Sequence, residues 1–248
     1  MPRTARRKSE SGIYHIMHRG INKQNIFEDR QDYIKMLDLI KGCEEKGGAE
    51  IYAYCLMSNH IHLLIKEGKE PIETTIKRLA GGYAYWFNTK YSRSGHLFQD
   101  RYRSEPVEDD EYFLTVLRYI HFNPVKAGLC SKPESYQYSS YSEYLNGGGI
   151  INGELVKGML PGKEFEKFHK KENDDSGVAL IEKERSRISD EKAARIMRNL
   201  TKCQSAEEFQ SLEQKKKNAL IAKLKDNGLS IRQISRLTGE SYYTIQRI

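Results

Sequence analysis

The sequence predicts an α+β domain, with helices packed on a mainly antiparallel sheet, followed by an all-helical C-terminal region. Two observations support this prediction. In the first half of the chain, short strand-like stretches are interspersed with longer stretches whose apolar residues recur at helical spacing. The last strand-like stretch is 101–108, and the remainder after the loop at 173–177 is basic and helical in pattern. The 248 residues suffice to bury a substantial core in one or two domains.

The predicted elements of the first region follow the order strand, helix, strand, strand, helix, strand, helix. They cover residues 11–20, 30–46, 51–57, 60–67, 72–90, 101–108 and 109–123. The second and third strands join at Ser58 and Asn59, which favour a turn. The last helix should end near Asn123, because Pro124 disfavours helical geometry in the residue before it. This order is typical of a ferredoxin-like or RRM-like antiparallel sheet with packed helices.

A glycine-rich stretch, residues 144–153, interrupts this pattern and indicates a boundary. We therefore predict a first domain at residues 1–145, a linker and helical extension at 146–178, and a helical DNA-binding region at 179–248. Within the linker, a polar loop is expected at residues 173–177.

The last thirty residues have the outline of a helix-turn-helix. Ser230 and Gln233 predict a capping box at the start of one short helix, and Gly239 lies in the turn that follows. The final helix is expected to lie in a DNA major groove. Its candidate DNA-binding residues are Ser241, Tyr242, Tyr243, Gln246 and Arg247. Many helix pairs with no DNA role share this spacing, but the basic surroundings favour DNA binding.

The net charge of +7 is unevenly distributed along the chain. Residues 177–248 contain 15 Lys/Arg against 9 Asp/Glu, and residues 77–103 contain six basic residues against Asp100 alone. Such clusters attract polyanions, of which nucleic acid is an abundant example. A solvated basic surface without a ligand has the same composition, so charge alone leaves both interpretations open.

Several features argue against a membrane or secreted protein. No apolar run approaches the roughly 20 residues that span a bilayer, and the basic N-terminus lacks the apolar segment of a secretory signal. The four cysteines show no CxxC pairing, which favours reduced thiols over a disulfide framework or a zinc ribbon. We therefore expect a cytoplasmic protein with no membrane partner.

Two histidines, His60 and His62, lie one residue apart in a largely apolar run. On a strand they point to the same face, roughly 6.6 Å apart along the chain, while Ile61 points to the opposite face. Two neutral imidazoles in this arrangement can share a divalent metal ion. Paired histidines on strands are more often ordinary residues of a polar face, so the pair alone is a weak signal.

A second candidate pair lies on the predicted helix 109–123. Tyr119 and Asn123 are four residues apart and therefore share one helix face. A tyrosine hydroxyl can act as a covalent nucleophile, and an asparagine carbonyl oxygen can complete a metal shell. The alternative is a core tyrosine and an asparagine that closes the helix before proline.

Four motifs follow one another between about residues 12 and 145. They read YHIMHRGINKQNIF, YCLMSNHIHLLI, GHLFQDRYRS and YIHFNPVKAGL. In this order and spacing they resemble the motifs of the single-tyrosine HUH transposases, and most closely the REP-associated tyrosine transposase type. Ile61 matches the bulky hydrophobic residue between the family's two histidines, whereas Ser58 stands where the family often has proline. The C-terminal region is not part of this resemblance.

The resemblance implies a role for each candidate residue. His60 and His62 match metal ligands for a divalent ion, usually Mg²⁺ or Mn²⁺, and Asn123 matches the third ligand. Tyr119 matches the nucleophile that attacks a phosphate of single-stranded DNA and forms a 5′-phosphotyrosine. The implied function is a metal-dependent DNA endonuclease and strand transferase acting on hairpin-bearing single strands.

Further polar residues of these motifs suit DNA contacts, because arginine and amide side chains bind phosphates and base edges. They are Arg19, Asn22, Lys23, Gln24, Arg101 and Arg103. Two alternatives stay open: a non-catalytic DNA-binding regulator that uses the C-terminal region on duplex DNA, and a metal-dependent RNA-processing enzyme. The sequence leaves the oligomeric state and the choice of metal undecided. We expect a nucleoid-associated protein.

Overall fold

The structure is a computed structural model that describes residues 6–170, 178 and 190–248. The chain forms two compact units, Met1–Val178 and Ala179–Ile248. The predicted loop at 173–177 lies outside the described residues, as does the beginning of the predicted C-terminal region at 179–189.

The first unit is built on a four-stranded sheet flanked by helices. Its strands are β1 (Ile13–Arg19), β2 (Glu50–Met57), β3 (His60–Lys66) and β4 (Arg103–Pro106). Its helices are α1 (Arg30–Gly47), α2 (Ile72–Lys90), α3 (Asp110–Lys126), α4 (Tyr141–Asn146), α5 (Glu154–Met159) and α6 (Glu164–Lys170). The strand order is β2-β3-β1-β4, and every neighbouring pair is antiparallel. The predicted α+β class and antiparallel sheet are confirmed.

The two faces of the sheet have different roles, because alternate residues of each strand point to opposite sides. On β3, Ile61, Leu63 and Ile65 join the apolar core that α1 and α2 complete. The other set of β3 residues includes His60 and His62, and this face is covered by α3. The polar pair therefore lies between the sheet and a helix.

Helix α3 is longer than the sequence suggests. Asp109 caps its start, since its carboxylate accepts a hydrogen bond from the Tyr112 amide. The prediction that it ends near Asn123 is wrong, because the helix continues through Pro124 to Lys126. Pro124 is buried in the last turn, where its ring costs only one backbone hydrogen bond and its packing outweighs the local preference.

The outer side of α3 is held by a buried chain of hydrogen bonds. His169 Nδ1 donates to the carbonyl of Phe165, so its Nε2 must accept from His121 Nδ1, 2.9 Å away. His121 Nε2 then accepts from the Ser140 hydroxyl, also at 2.9 Å. All three polar residues are buried, and burial favours the neutral form of His121.

This chain predicts a pH-dependent stability. Burial lowers the pKa of His121 well below its usual value, so the unfolded state binds a proton that the folded state does not. The resulting stability is complete above pH about 6.5 and is lost as the pH falls below it. We expect His121→Gln to reduce the loss of unfolding free energy between pH 7 and 5 by about 2 kcal/mol.

Urea unfolding at both pH values, followed by the fluorescence of the single tryptophan Trp86, measures this difference in the first unit. His96→Gln, at an exposed histidine, is the matched control and should leave the loss unchanged. An unaltered loss in His121→Gln would show that His121 does not carry the effect.

The second unit is helical. Its described helices are α7 (Asp190–Thr201), α8 (Ala206–Gln210), α9 (Gln214–Asp226), α10 (Ile231–Thr238) and α11 (Tyr242–Arg247). The predicted capping box is present, since Ser230 and Gln233 exchange side chain-to-backbone hydrogen bonds at the start of α10. Gly239 ends this helix with a φ of 73°, a conformation that glycine adopts without strain. The helix that opens at Ser241 is also present.

Among the residues that the structure describes, no helix combines the length and the apolar character needed to cross a bilayer.

Candidate active site

The candidate site is built on two adjacent rows of residues across the sheet. In the strand register, His62 lies opposite Cys55 of β2 and Met17 of β1, while His60 lies opposite Met57 and Arg19. The two imidazoles therefore project from the same face, as predicted, and their ring centroids are 5.0 Å apart. His62 is completely buried, whereas His60 is partly exposed at the end of the strand.

Tyr119 lies against the histidines from the side of α3. Its ring centroid is 5.9 Å from that of His62, and the rings meet edge to face. The Lys126 ammonium lies 4.6 Å from the centre of the tyrosine ring, two turns further along the helix. The structure thus brings the predicted nucleophile next to the predicted metal ligands, although the two segments are far apart in sequence.

Asn123 lies one turn after Tyr119 and is partly buried. Its Nδ2 donates to the carbonyl of Tyr119 at 3.1 Å, so its Oδ1 remains the acceptor atom of the amide. The residue therefore occupies the helix turn next to Tyr119.

His15 belongs to the same cluster, although sequence reasoning gave it no role. Its Nε2 lies 3.0 Å from Nδ1 of His62, and its ring centroid is 6.1 Å from that of Tyr119. Only the strand register reveals this contact, because His15 and His62 are 47 positions apart in the sequence. The sequence does contain one signal: His15, Met17 and Arg19 are spaced by two residues, so on a strand all three lie on the site face.

The histidines of this face are held neutral. Burial lowers the pKa of His15 to about 4, and burial together with the nearby Arg19 lowers the pKa of His60 to about 4. Burial, followed by the neighbouring histidines, lowers the pKa of His62 still more strongly. Neutral imidazoles keep the lone pairs that metal coordination requires.

The tautomer of His60 is set by its neighbour. Its Nδ1 lies 2.6 Å from Oδ1 of Asn59, which can only accept a hydrogen bond, so Nδ1 carries the proton. Nε2 of His60 is therefore the nitrogen with the available lone pair.

The candidate donors are of types that bind divalent ions. In the described part of the chain, no group of three or more His, Cys, Asp or Glu side chains is arranged to hold a metal ion. Two imidazoles and the amide oxygen of Asn123 would form an incomplete shell around such an ion, with coordination positions left for further ligands.

The predicted DNA-binding residues after β1 lie beside the β2–β3 turn, next to His60. The Gly20 amide donates to the carbonyl of Asn59 at 2.8 Å, and Asn59 Nδ2 donates to the carbonyl of Lys23 at 3.2 Å. Asn22 and Lys23 are exposed, and Gln24 accepts a hydrogen bond from Arg93 at 3.1 Å. The loop therefore adds polar and basic side chains to the rim of the site.

The other residues predicted to bind DNA lie partly near the site and partly in the second unit. Arg103 pairs with Met17 in the sheet and shares the site face, whereas Arg101 is exposed before β4 and has no described contact with the site. In the second unit, Ser241 caps α11 and Tyr242 packs against the core of that unit. The exposed members of the predicted set on α11 are Tyr243, Gln246 and Arg247.

Comparisons with known proteins cover the segment that contains these residues. A family model described as IS200-like transposase matches residues 8–123, a range that contains the three site histidines and Tyr119 and ends at Asn123. A putative REP-associated tyrosine transposase of Haemophilus influenzae is 30% identical over 104 residues. The match covers 37% of this chain and 58% of that relative, so less than two thirds of the relative is spanned.

Two solved structures also match. A REP-associated tyrosine transposase bound to a REP hairpin gives a TM-score of 0.50 at 16% identity, over 58% of this chain and 86% of that one, which supports the fold. A putative transposase of Deinococcus radiodurans gives a TM-score of 0.35 at 18% identity, over 48% of this chain and 95% of that one. Over residues 8–123 the chain is therefore similar to the IS200-like transposase family, and the relative from Haemophilus influenzae is of the REP-associated type that its motifs resemble.

Proposed function

We propose that the protein is a metal-dependent single-stranded DNA endonuclease and strand transferase that acts through a covalent phosphotyrosine. The observation that carries this proposal is the juxtaposition of Tyr119 with His60 and His62, at a ring distance of 5.9 Å from His62. The match of residues 8–123 to the model of IS200-like transposases supports it. A similar fold has been solved with a REP hairpin, which supports hairpin-bearing DNA as the substrate class.

In the proposed reaction, Oη of Tyr119 attacks the phosphorus of the scissile phosphodiester. A P–Oη bond forms, the P–O3′ bond breaks, and the leaving 3′-oxygen takes up a proton as the tyrosine loses one. The products are a 5′-phosphotyrosine and a strand that ends in a 3′-hydroxyl. Attack by a 3′-hydroxyl reverses these steps and rejoins DNA, so strand transfer needs no ATP.

The protein groups around the phosphate have separate tasks. A divalent ion, Mg²⁺ or Mn²⁺, held by His60, His62 and Asn123 would polarise the phosphate and neutralise its developing charge. Arg19 lies beside His60 in the sheet and is suited to a non-bridging phosphate oxygen. α3 holds the ring of Tyr119 in place, with only 4% of the residue exposed.

The test is a trapping experiment with the full chain. A 3′-labelled single-stranded library that contains hairpins is incubated with Mn²⁺ and analysed on a denaturing gel. We expect a labelled, protease-sensitive adduct, and sequencing of the trapped strands then identifies the target. A matched RNA library should give no adduct, since an RNA adduct alone would indicate the RNA-processing alternative.

The regulator alternative makes a different prediction in the same experiment. Duplex binding through the C-terminal region without any adduct would favour a non-catalytic DNA-binding protein.

We propose that α10 and α11 act as a helix-turn-helix in addition to the catalytic domain, because α11 presents Tyr243, Gln246 and Arg247 to solvent. Action on chromosomal DNA implies a nucleoid-associated, cytoplasmic location.

If α11 contacts duplex phosphates, Arg247→Ala should weaken duplex binding and reduce the slope of log affinity against log salt by about one. Fluorescence anisotropy with a duplex at several salt concentrations measures both quantities. Lys216→Ala on α9 removes the same charge from an exposed position and serves as the matched control. Equal effects of the two substitutions would indicate a general charge effect and contradict a specific role of α11.

A further inference from the structure

A buried imidazole stands behind the central histidine of the site. His15 and His62 are 5% and 0% exposed, and their rings stack with centroids 5.3 Å apart. The 3.0 Å contact joins Nε2 of His15 to Nδ1 of His62. His15 carries no role in the proposed reaction, yet it lies against Nδ1 of His62.

The contact admits two arrangements, because one of two neutral imidazoles must donate and the other must accept. If Nε2 of His15 donates, Nδ1 of His62 accepts, and the His62 proton then sits on Nε2 and blocks coordination there. If Nδ1 of His62 donates, its Nε2 keeps the lone pair. His60 already presents Nε2, since its Nδ1 donates to Asn59. Only the second arrangement leaves both imidazoles available to one ion.

We propose that His15 is a positioning residue: it accepts a hydrogen bond from Nδ1 of His62 and so fixes the tautomer and ring orientation that present Nε2 to a divalent cation. The inference rests on the proposed function. In metal sites, the ring nitrogen that does not bind the metal typically donates to an oxygen acceptor. Here a neutral imidazole supplies the acceptor, so the support adds no negative charge to a site that must also admit a phosphate.

The experiment measures Mn²⁺ binding by electron paramagnetic resonance on the full chain, without DNA. We expect His15→Phe, which keeps an aromatic ring but removes the acceptor, to weaken Mn²⁺ affinity by about 10–100-fold. His15→Gln offers an amide oxygen at the same place and should restore most of the affinity. His18→Phe is the matched control, because His18 is a buried histidine of the same strand on the opposite face, stacked on Phe98.

If His15 served only to maintain the fold, His15→Phe and His18→Phe would both change Trp86 fluorescence and thermal unfolding. Recovery of Mn²⁺ affinity in His15→Gln, by contrast, reports the hydrogen bond to His62. Wild-type affinity in His15→Phe, with binding lost in His60→Ala, would overturn the role of His15 and leave the proposed function intact. Failure of His15→Gln to restore affinity would also overturn it. Absence of any His60-dependent Mn²⁺ binding in the wild type would overturn both the inference and the proposed metal site.

Discussion

Tyr119→Phe abolishes the covalent protein–DNA adduct in the trapping experiment. The substitution removes one oxygen and keeps the ring that packs against His62 and beneath the Lys126 ammonium, so the fold and the surrounding contacts persist. Without the hydroxyl no P–O bond to the protein can form, and the expected loss is complete. Single-stranded binding should stay within about twofold of the wild type, since the ring makes the described contacts.

The matched control is Tyr112→Phe. Tyr112 lies on the same face of α3, two turns or about 10 Å towards its start, so its substitution removes a hydroxyl from the same helix. We expect this variant to form the adduct at the wild-type level. An adduct that persists in Tyr119→Phe would show that another residue is the nucleophile and would exclude the proposed role of Tyr119.

His60→Ala lowers the rate of adduct formation by about 10³-fold, because loss of a metal ligand removes several kcal/mol of charge stabilisation from the transition state. His60 suits this test better than His62, since it is partly exposed at the end of β3, whereas His62 is fully buried. Single-turnover kinetics over a series of Mn²⁺ concentrations measure the effect. Excess Mn²⁺ should recover part of the rate if His60 contributes binding.

His96→Ala provides the comparison, because it removes an exposed histidine that lies outside the sheet. A rate in His60→Ala within twofold of the wild type would contradict the proposed metal site. The phosphotyrosine proposal would then still stand on the result for Tyr119→Phe.

The parts of the site that could be predicted from sequence are those set by local periodicity. The period of two along a strand places His60 and His62 on one face, and the helical period places Asn123 one turn after Tyr119. The family's ordered motifs supplied the link between the two segments. The period of two places His15 on the site face, but it cannot reveal the contact with His62, which depends on the register between β1 and β3.

The end of α3 shows a second limit of prediction from the sequence. The local preference against a helical residue before proline predicted an end near Asn123, yet Pro124 is buried and the helix continues to Lys126. Packing against the rest of the domain decides this case, and packing cannot be read from neighbouring residues. The error matters for the site, since the extra turn carries Lys126 to the ring of Tyr119.

The hydrogen-bonded chain on the outer side of α3 has a practical consequence for dissecting the protein. His121, two residues after Tyr119, is joined to Ser140 and His169, both of which lie beyond the segment that matches the family. A fragment that ends at residue 123 lacks both partners of His121, and one that ends at residue 145 lacks His169. In either fragment, the side of His121 that faces the missing partner would be exposed to water or to an unfilled space. The shortest fragment that retains this backing ends no earlier than residue 170, well beyond the end of the family match.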